Sequence, residues 1–295
     1  MIHGHLLGLY EKALPKEWSW KQRLQTAKEL GFDYMEISID ETDDRISRLY
    51  WDNSRRMELL LMCKVLNMPI QSMCLSAHRR FPFGSADKKT REVAYELMER
   101  AIEFANDLGI RVIQLAGYDV YYEPSTQASI EGFMEGMKWS AKLAERYQIM
   151  LAMEIMDTPF MNSITKHLAY EQQVKSPWYK VYPDLGNLTA WGNNVESELE
   201  KGIDSIVAVH IKETKAVTKN FEGQFKCVDF GNGDVDFVKC FSKLEQLNYK
   251  GPYLVEMWTN PERNDVDTIS EALSFIHKQY DSVMNPHVNT KSVTL

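Results

Sequence analysis

Residues 93–117 read VAYELMERAIEFANDLGIRVIQLAG, and this stretch decides the fold. Its first part places Ala94, Leu97, Ala101, Phe104 and Leu108 at helical spacing along one face. Gly109 then interrupts the pattern where a left-handed residue closes a helix, and Val112–Gly117 follows as a short apolar run. The unit is a helix, a stop and a strand.

The same unit recurs in both directions. Leu30-Gly31 leads into Tyr34–Ser38, Asn67-Met68-Pro69 into Ile70–Ser76, Tyr147-Gln148 into Met150–Ile155, and Lys250-Gly251-Pro252 into Tyr253–Trp258. With Leu6–Tyr10, Lys180–Asp184 and Ile206–Ile211 there are eight candidate strands. Their starts fall at a mean interval of about 35 residues, the size of a βα unit. Between them Trp20, Leu24, Ala27 and Leu30 again share a helical face, with Trp18 nearby. Met57, Met62, Met68 and Met73 are read as core. Alternating strands and helices require a parallel sheet. Eight units in 295 residues fit a closed α/β (β/α)8 TIM barrel. The first strand runs on as Gly8-Leu9-Tyr10-Glu11-Lys12, without the glycine-rich turn of an open dinucleotide-binding sheet. A single barrel domain is expected over 1–284, with a loose tail over 285–295.

Charge narrows the partners. The 34 Lys and Arg against 42 Asp and Glu leave a net charge of −8, which disfavours nucleic acid. The four cysteines form no CxxC pair and suit a reducing compartment. Neither a membrane-length apolar run nor a signal segment is seen, so a cytoplasmic protein without a membrane partner is expected.

In such barrels chemistry gathers where strands end. Strands five to eight end in Glu154, Asp184, His210 and Glu256. Because side chains alternate along a strand, Met153, Val209 and Val255 point to the helices and Glu154, His210 and Glu256 point inward. Taken singly, each is explained as a loop-facing acid or a satisfied histidine. Together they put three carboxylates and an imidazole at one mouth, a burial that calls for compensating charge. One divalent ion supplies it, and the ligand set suits zinc, manganese, magnesium or cobalt without selecting among them. Two glutamates beside such an ion suit proton abstraction next to a carbonyl, one removing the proton and the other returning it.

Several segments then become recognisable: Gly8–Pro15, Ser72–Pro82 (SMCLSAHRRFP), Arg111–Tyr122 (RVIQLAGYDVYY), Leu151–Asp157 (LAMEIMD), Tyr182–Asn187 (YPDLGN), Ile206–Lys212 (IVAVHIK) and Gly251–Trp258 (GPYLVEMW). In these the chain resembles the xylose-isomerase-like barrel superfamily, and within it the bacterial L-ribulose-5-phosphate (L-xylulose-5-phosphate) 3-epimerases. The resemblance implies that Glu154, Asp184, His210 and Glu256 hold the metal and that Glu154 and Glu256 are the acid–base pair. It also implies a small phosphorylated ketose as substrate, in pathways of L-ascorbate or related sugars. The segment Glu213–Asp229 is longer than that family leads one to expect.

No phosphate-binding loop is present, so Arg79, Arg80, Lys212 and Lys226 are the candidate phosphate contacts. His78 is read as structural. Glu36 is read either as a contact to sugar hydroxyls or as a paired buried carboxylate. Tyr118, Tyr121, Tyr122 and Trp258 are candidate pocket walls. The alternatives on the same barrel are an aldose–ketose isomerase and an epimerase of unphosphorylated ketoses. A multi-zinc nuclease would need more histidine than the seven here, and a pure binding module would not need both glutamates. A homodimer is expected.

Overall fold

In the computed structural model, which describes residues 1–285, strand and helix alternate eight times. The order is β1 (Leu7–Tyr10), α1 (Trp20–Glu29), β2 (Tyr34–Ile39), α2 (Asn53–Leu66), β3 (Ile70–Leu75), α3 (Lys88–Leu108), β4 (Val112–Leu115) and α4 (Gln127–Tyr147). It continues with β5 (Met150–Glu154), α5 (Ile164–Val174), β6 (Tyr179–Tyr182), α6 (Val195–Gly202), β7 (Val209–Ile211), α7 (Phe237–Gln246), β8 (Tyr253–Val255) and α8 (Asp265–Met284). Short helices add to this at Asp43–Ile46 and Leu185–Ala190. Every pairing between strands is parallel, in the order β6-β5-β4-β3-β2-β1-β8-β7. Strands β6 and β7 meet through the single bridges Val181–Ile206 and Asp184–His210, which nearly close the barrel. The expected tail lies outside the described residues apart from Asn285.

The two faces of the strands carry opposite chemistry. Leu9, Met35, Ile37, Met73, Ile113, Met153, Val181, Val209 and Val255 join the large apolar core under the helices. Burial of each contributes about 1.5–3 kcal/mol. Alternate residues turn into the barrel, among them Tyr34, Glu36, Cys74, Gln114, Glu154, Tyr182 and His210. A one-residue slip would push those acids against the helices, so the apolar face fixes the register that aims the polar one. At Gly8 the packing leaves no room for a side chain, since a Cβ would lie 2.3 Å from Cζ of Tyr34.

Each of the eight long helices has a side-chain cap at its start: Ser19, Asp52, Asp87, Thr126, Ser163, Asn194, Asp236 and Asn264. Such caps are worth about 1 kcal/mol apiece. Gly109 closes α3 at φ 74°, as its position in the sequence suggested. The start of the barrel is tied down by buried Glu11, whose carboxylate accepts from Arg23, Arg45, Arg48 and the Ser38 backbone. Burial pushes that carboxyl up, but the guanidiniums outweigh it and hold it below its ordinary range.

Met68 and Met73 are core, as expected. Met57 is not: half of it is exposed, because α2 buries Leu59 and Cys63 on its other side. Trp18 and Trp20 are half-buried, and Arg23 and Arg48 lie over the Trp20 ring. No helix among the described residues is long and apolar enough to cross a membrane.

Candidate metal centre

The ends of strands β5 to β8 deliver four side chains to one point. Glu154 is the last residue of β5, His210 sits within β7, and Glu256 directly follows β8. Pro183 has no N–H to continue the ladder, and Asp184 beyond it caps the helix Leu185–Ala190 by accepting from the Asn187 N–H at 2.7 Å. One ligand atom from each of the four residues lies within 4.8 Å of the other three, and all four residues are buried.

The His210 ring organises this cluster. Its Nδ1 lies 3.1 Å from Glu154 Oε1, 3.6 Å from Glu256 Oε2 and 3.7 Å from Asp184 Oδ2. Its Nε2 points the other way, 3.6 Å from Glu36 Oε1, and the Tyr182 ring supports it at 4.4 Å. Gln114 Nε2 donates to Glu154 Oε2. Lys212, two residues past His210 and on the same inward face, places Nζ 2.7 Å from Asp184 Oδ2 and 3.1 Å from Glu256 Oε2.

This packing perturbs the charges. Burial pushes Glu256 up to about 7 against the pull of Lys212. Asp184 is buried too, yet Lys212 and His210 hold it below its ordinary value. For His210, burial opposes the charged form, but Glu256, Asp184, Glu154 and Glu36 raise its pKa well above normal. Lys212 therefore supplies part of the compensating charge that sequence reasoning had assigned to an ion alone. Three carboxylates and the Nδ1 of His210 converge on a buried point that Lys212 neutralises only in part, while the Glu36 carboxylate behind Nε2 makes no hydrogen bond. An oxygen-rich set of donors with one imidazole nitrogen fits a hard or borderline divalent cation.

Above the cluster lies a cleft of about 120 Å³, walled in part by Tyr10, Lys12, Arg79, Lys226 and Trp258. Of the candidate phosphate contacts, Arg79 and Lys226 line it. Arg79 Nη2 donates to the Tyr118 hydroxyl at 2.8 Å, which donates to Asp157 at 2.9 Å, so Tyr118 positions the arginine. Lys226 sits over the Trp258 ring and has no carboxylate in ion-pair range among the described residues. Lys212 also reaches the cleft, but its ammonium is committed to the carboxylates. Arg80 is outside the cleft wall, 2.7 Å from exposed Asp43, because its backbone turns away after the short 3-10 helix Ala77–Arg79. Tyr121 and Tyr122 are largely exposed and do not wall the cleft. His78 is structural, as read: its buried ring hydrogen-bonds Ala94 O at 3.1 Å.

Sequence reasoning missed Tyr10, Lys12 and Gln114. Tyr10 ends β1 on its inward face, so strand alternation was the available signal for it; Lys12 lies beyond the strand in the short 3-10 helix Glu11–Ala13, where alternation gives none. The long segment after β7 is folded on itself through the bridges Lys215–Gln224 and Thr218–Phe221. Its base is held by Glu213, which accepts from the Gly231 and Val235 N–H groups. In this way it returns Lys226 to the cleft.

Comparison with known proteins agrees with this geometry. The family model described as xylose isomerase-like TIM barrel matches residues 24–279. The chain is 52% identical over 275 residues to SgbU of Escherichia coli strain K12, named provisionally as an L-ribulose-5-phosphate 3-epimerase, covering 93% of this chain and 96% of that protein. To the L-ribulose-5-phosphate 3-epimerase UlaE of Escherichia coli strain SMS-3-5 it is 51% identical over 270 residues, 92% and 93% of the two chains. The solved structure of an L-ribulose 3-epimerase superposes with a TM-score of 0.78 over 98% of this chain and 99% of that one, at 17% identity, a likeness of fold. The chain thus belongs to the xylose isomerase-like TIM-barrel family and, half-identical to L-ribulose-5-phosphate 3-epimerases over nearly its whole length, is an epimerase, an enzyme of the isomerase class.

Proposed function

We propose that the protein is a metal-dependent 3-epimerase interconverting L-ribulose 5-phosphate and L-xylulose 5-phosphate. The observation that carries this reading is the convergence of Glu154, Asp184, His210 and Glu256 at the strand ends of a chain half-identical to enzymes of that name. Glu154, Asp184, His210 and Glu256 would hold a divalent ion, which would supply Lewis-acid charge beside the ketose oxygens.

The chain's own residues do the rest. Glu154 and Glu256 come from strands separated by β6 and β7, and so approach a bound ketose from different sides. One carboxylate removes the carbon-3 proton and the other, entering protonated, delivers a proton to the opposite face. The roles exchange with the direction of reaction, so protons balance over a cycle once the pair re-equilibrates with solvent. Gln114 orients Glu154, and Glu36 faces the Nε2 of His210, which leaves Nδ1 for the ion. Lys212 holds Asp184 and Glu256 in place. Arg79 and Lys226 form the cationic rim that receives the phosphate, while the neighbouring Lys12 is ion-paired with Asp40.

The test is to incubate the protein with L-xylulose 5-phosphate in deuterated water and follow the products by NMR. L-ribulose 5-phosphate carrying solvent deuterium at carbon 3 is expected. An aldose product, or label at another carbon, overturns the assignment, and turnover of free L-xylulose in preference to its phosphate overturns the substrate.

A further inference from the structure

The barrel has a second chamber at its opposite pole. It measures about 630 Å³ and opens between the C-terminal ends of α2 and α3. Its wall includes Leu60, Ile70, Leu108 and Val112, and it runs across the mouth of the barrel to Ala208 and Pro252, which precede β7 and β8. These positions lie at the starts of strands, whereas the metal cluster lies at their ends.

Three features distinguish this chamber from an incidental gap. A buried hydroxyl on its lining, Ser72 Oγ, has no hydrogen-bond partner although its residue is only 4% exposed, and the fully buried Tyr182 hydroxyl, paired with that of Tyr34, also faces it. An unsatisfied buried hydroxyl is costly and marks a place where a polar atom is received. Lys64 and Arg111 stand exposed on the lining, neither in an ion pair among the described residues. No Asp or Glu lines the chamber, in a chain whose net charge is −8. An apolar chamber with convergent polar groups has the make-up of a small-molecule site.

We propose that this chamber binds a small organic anion: an apolar body against Leu60, Leu108 and Val112, an acidic head at Lys64 and Arg111, and an oxygen at the inner end meeting Ser72 and Tyr182. A sugar phosphate lacks the apolar body, so the ligand is distinct from the ketose. Tyr182 links the two poles, with its hydroxyl in this chamber and its ring against His210. The occupant therefore touches the residue that backs the metal cluster.

Anilinonaphthalene sulfonate, which has an apolar body and one anionic head, serves as the probe. Fluorescence titration of the metal-loaded protein should show one-to-one binding that saturating L-xylulose 5-phosphate does not displace. Charge reversal by Lys64→Glu with Arg111→Glu, both at the surface, should weaken binding by about tenfold or more. Ala208→Phe, which fills the inner end, should abolish it. Absence of one-to-one binding, displacement by the ketose phosphate, or equal affinity in the charge-reversed protein overturns the proposal, even should Ala208→Phe fail to fold.

Discussion

Lys212 shows how much one side chain decides at the mouth of this barrel. Its ammonium lies between Asp184 and Glu256, buried with them, so its removal leaves two carboxylates with only the His210 ring beside them. Breaking a buried pair in this way costs about 3–5 kcal/mol. Lys212→Met should therefore lower the urea stability of the metal-free protein by roughly that amount, and a bound divalent ion should restore most of it. Equal losses with and without metal would show that Lys212 contributes packing alone. The four cluster residues were legible in the sequence because each ends an apolar run, with strand alternation turning Glu154, His210 and Glu256 inward and Pro183 marking the strand end before Asp184. Lys212 obeys the same rule, two residues after His210, yet its charge suggested a phosphate contact. Pairing across the barrel, which no sequence pattern displays, is what drew it inside.

At the scale of elements, the segment between β3 and α3 depends on His78. Its ring is buried, stacks on Phe83 and hydrogen-bonds Ala94 of α3. Burial pushes its pKa from 6.5 down to about 4, against the small upward pull of the Ala94 carbonyl. Below pH 6.5 the unfolded chain takes up a proton that the folded chain refuses. Stability is thus present in full above about pH 6.5 and declines as pH falls toward 4, by on the order of 3 kcal/mol. In His78→Gln that part of the slope should vanish when urea midpoints are compared across this range. An unchanged slope would place the acid sensitivity elsewhere. Elements were legible where they were long: α3 runs 21 residues with a clear apolar face. Strand ends were less so. The apolar run 206–211 forms a strand only over Val209–Ile211, because Ile206 meets Val181 through an isolated bridge. Four-residue Asp43–Ile46 and six-residue Leu185–Ala190 are too short to show a helical period.

On the scale of the whole molecule, the barrel separates two environments. Its outer face is apolar and holds the helices, while its inner face gathers ionisable groups toward the strand ends, a polarity that βα repetition alone does not dictate. Eight beats of about 35 residues made the architecture readable from sequence. The fine division of cations was not readable, because Arg79 and Arg80 are neighbours in the chain but face the cleft and the solvent respectively. The central claim is that Glu154, Asp184, His210 and Glu256 hold a divalent ion without which carbon 3 does not exchange its proton. The direct measurement is deuterium incorporation at carbon 3 of L-xylulose 5-phosphate by chelator-stripped protein whose metal content is verified by mass spectrometry. Exchange should cease on stripping and return as one equivalent of manganese or zinc is added, while the stripped protein stays folded by circular dichroism. Undiminished exchange by metal-free, folded protein would contradict the account.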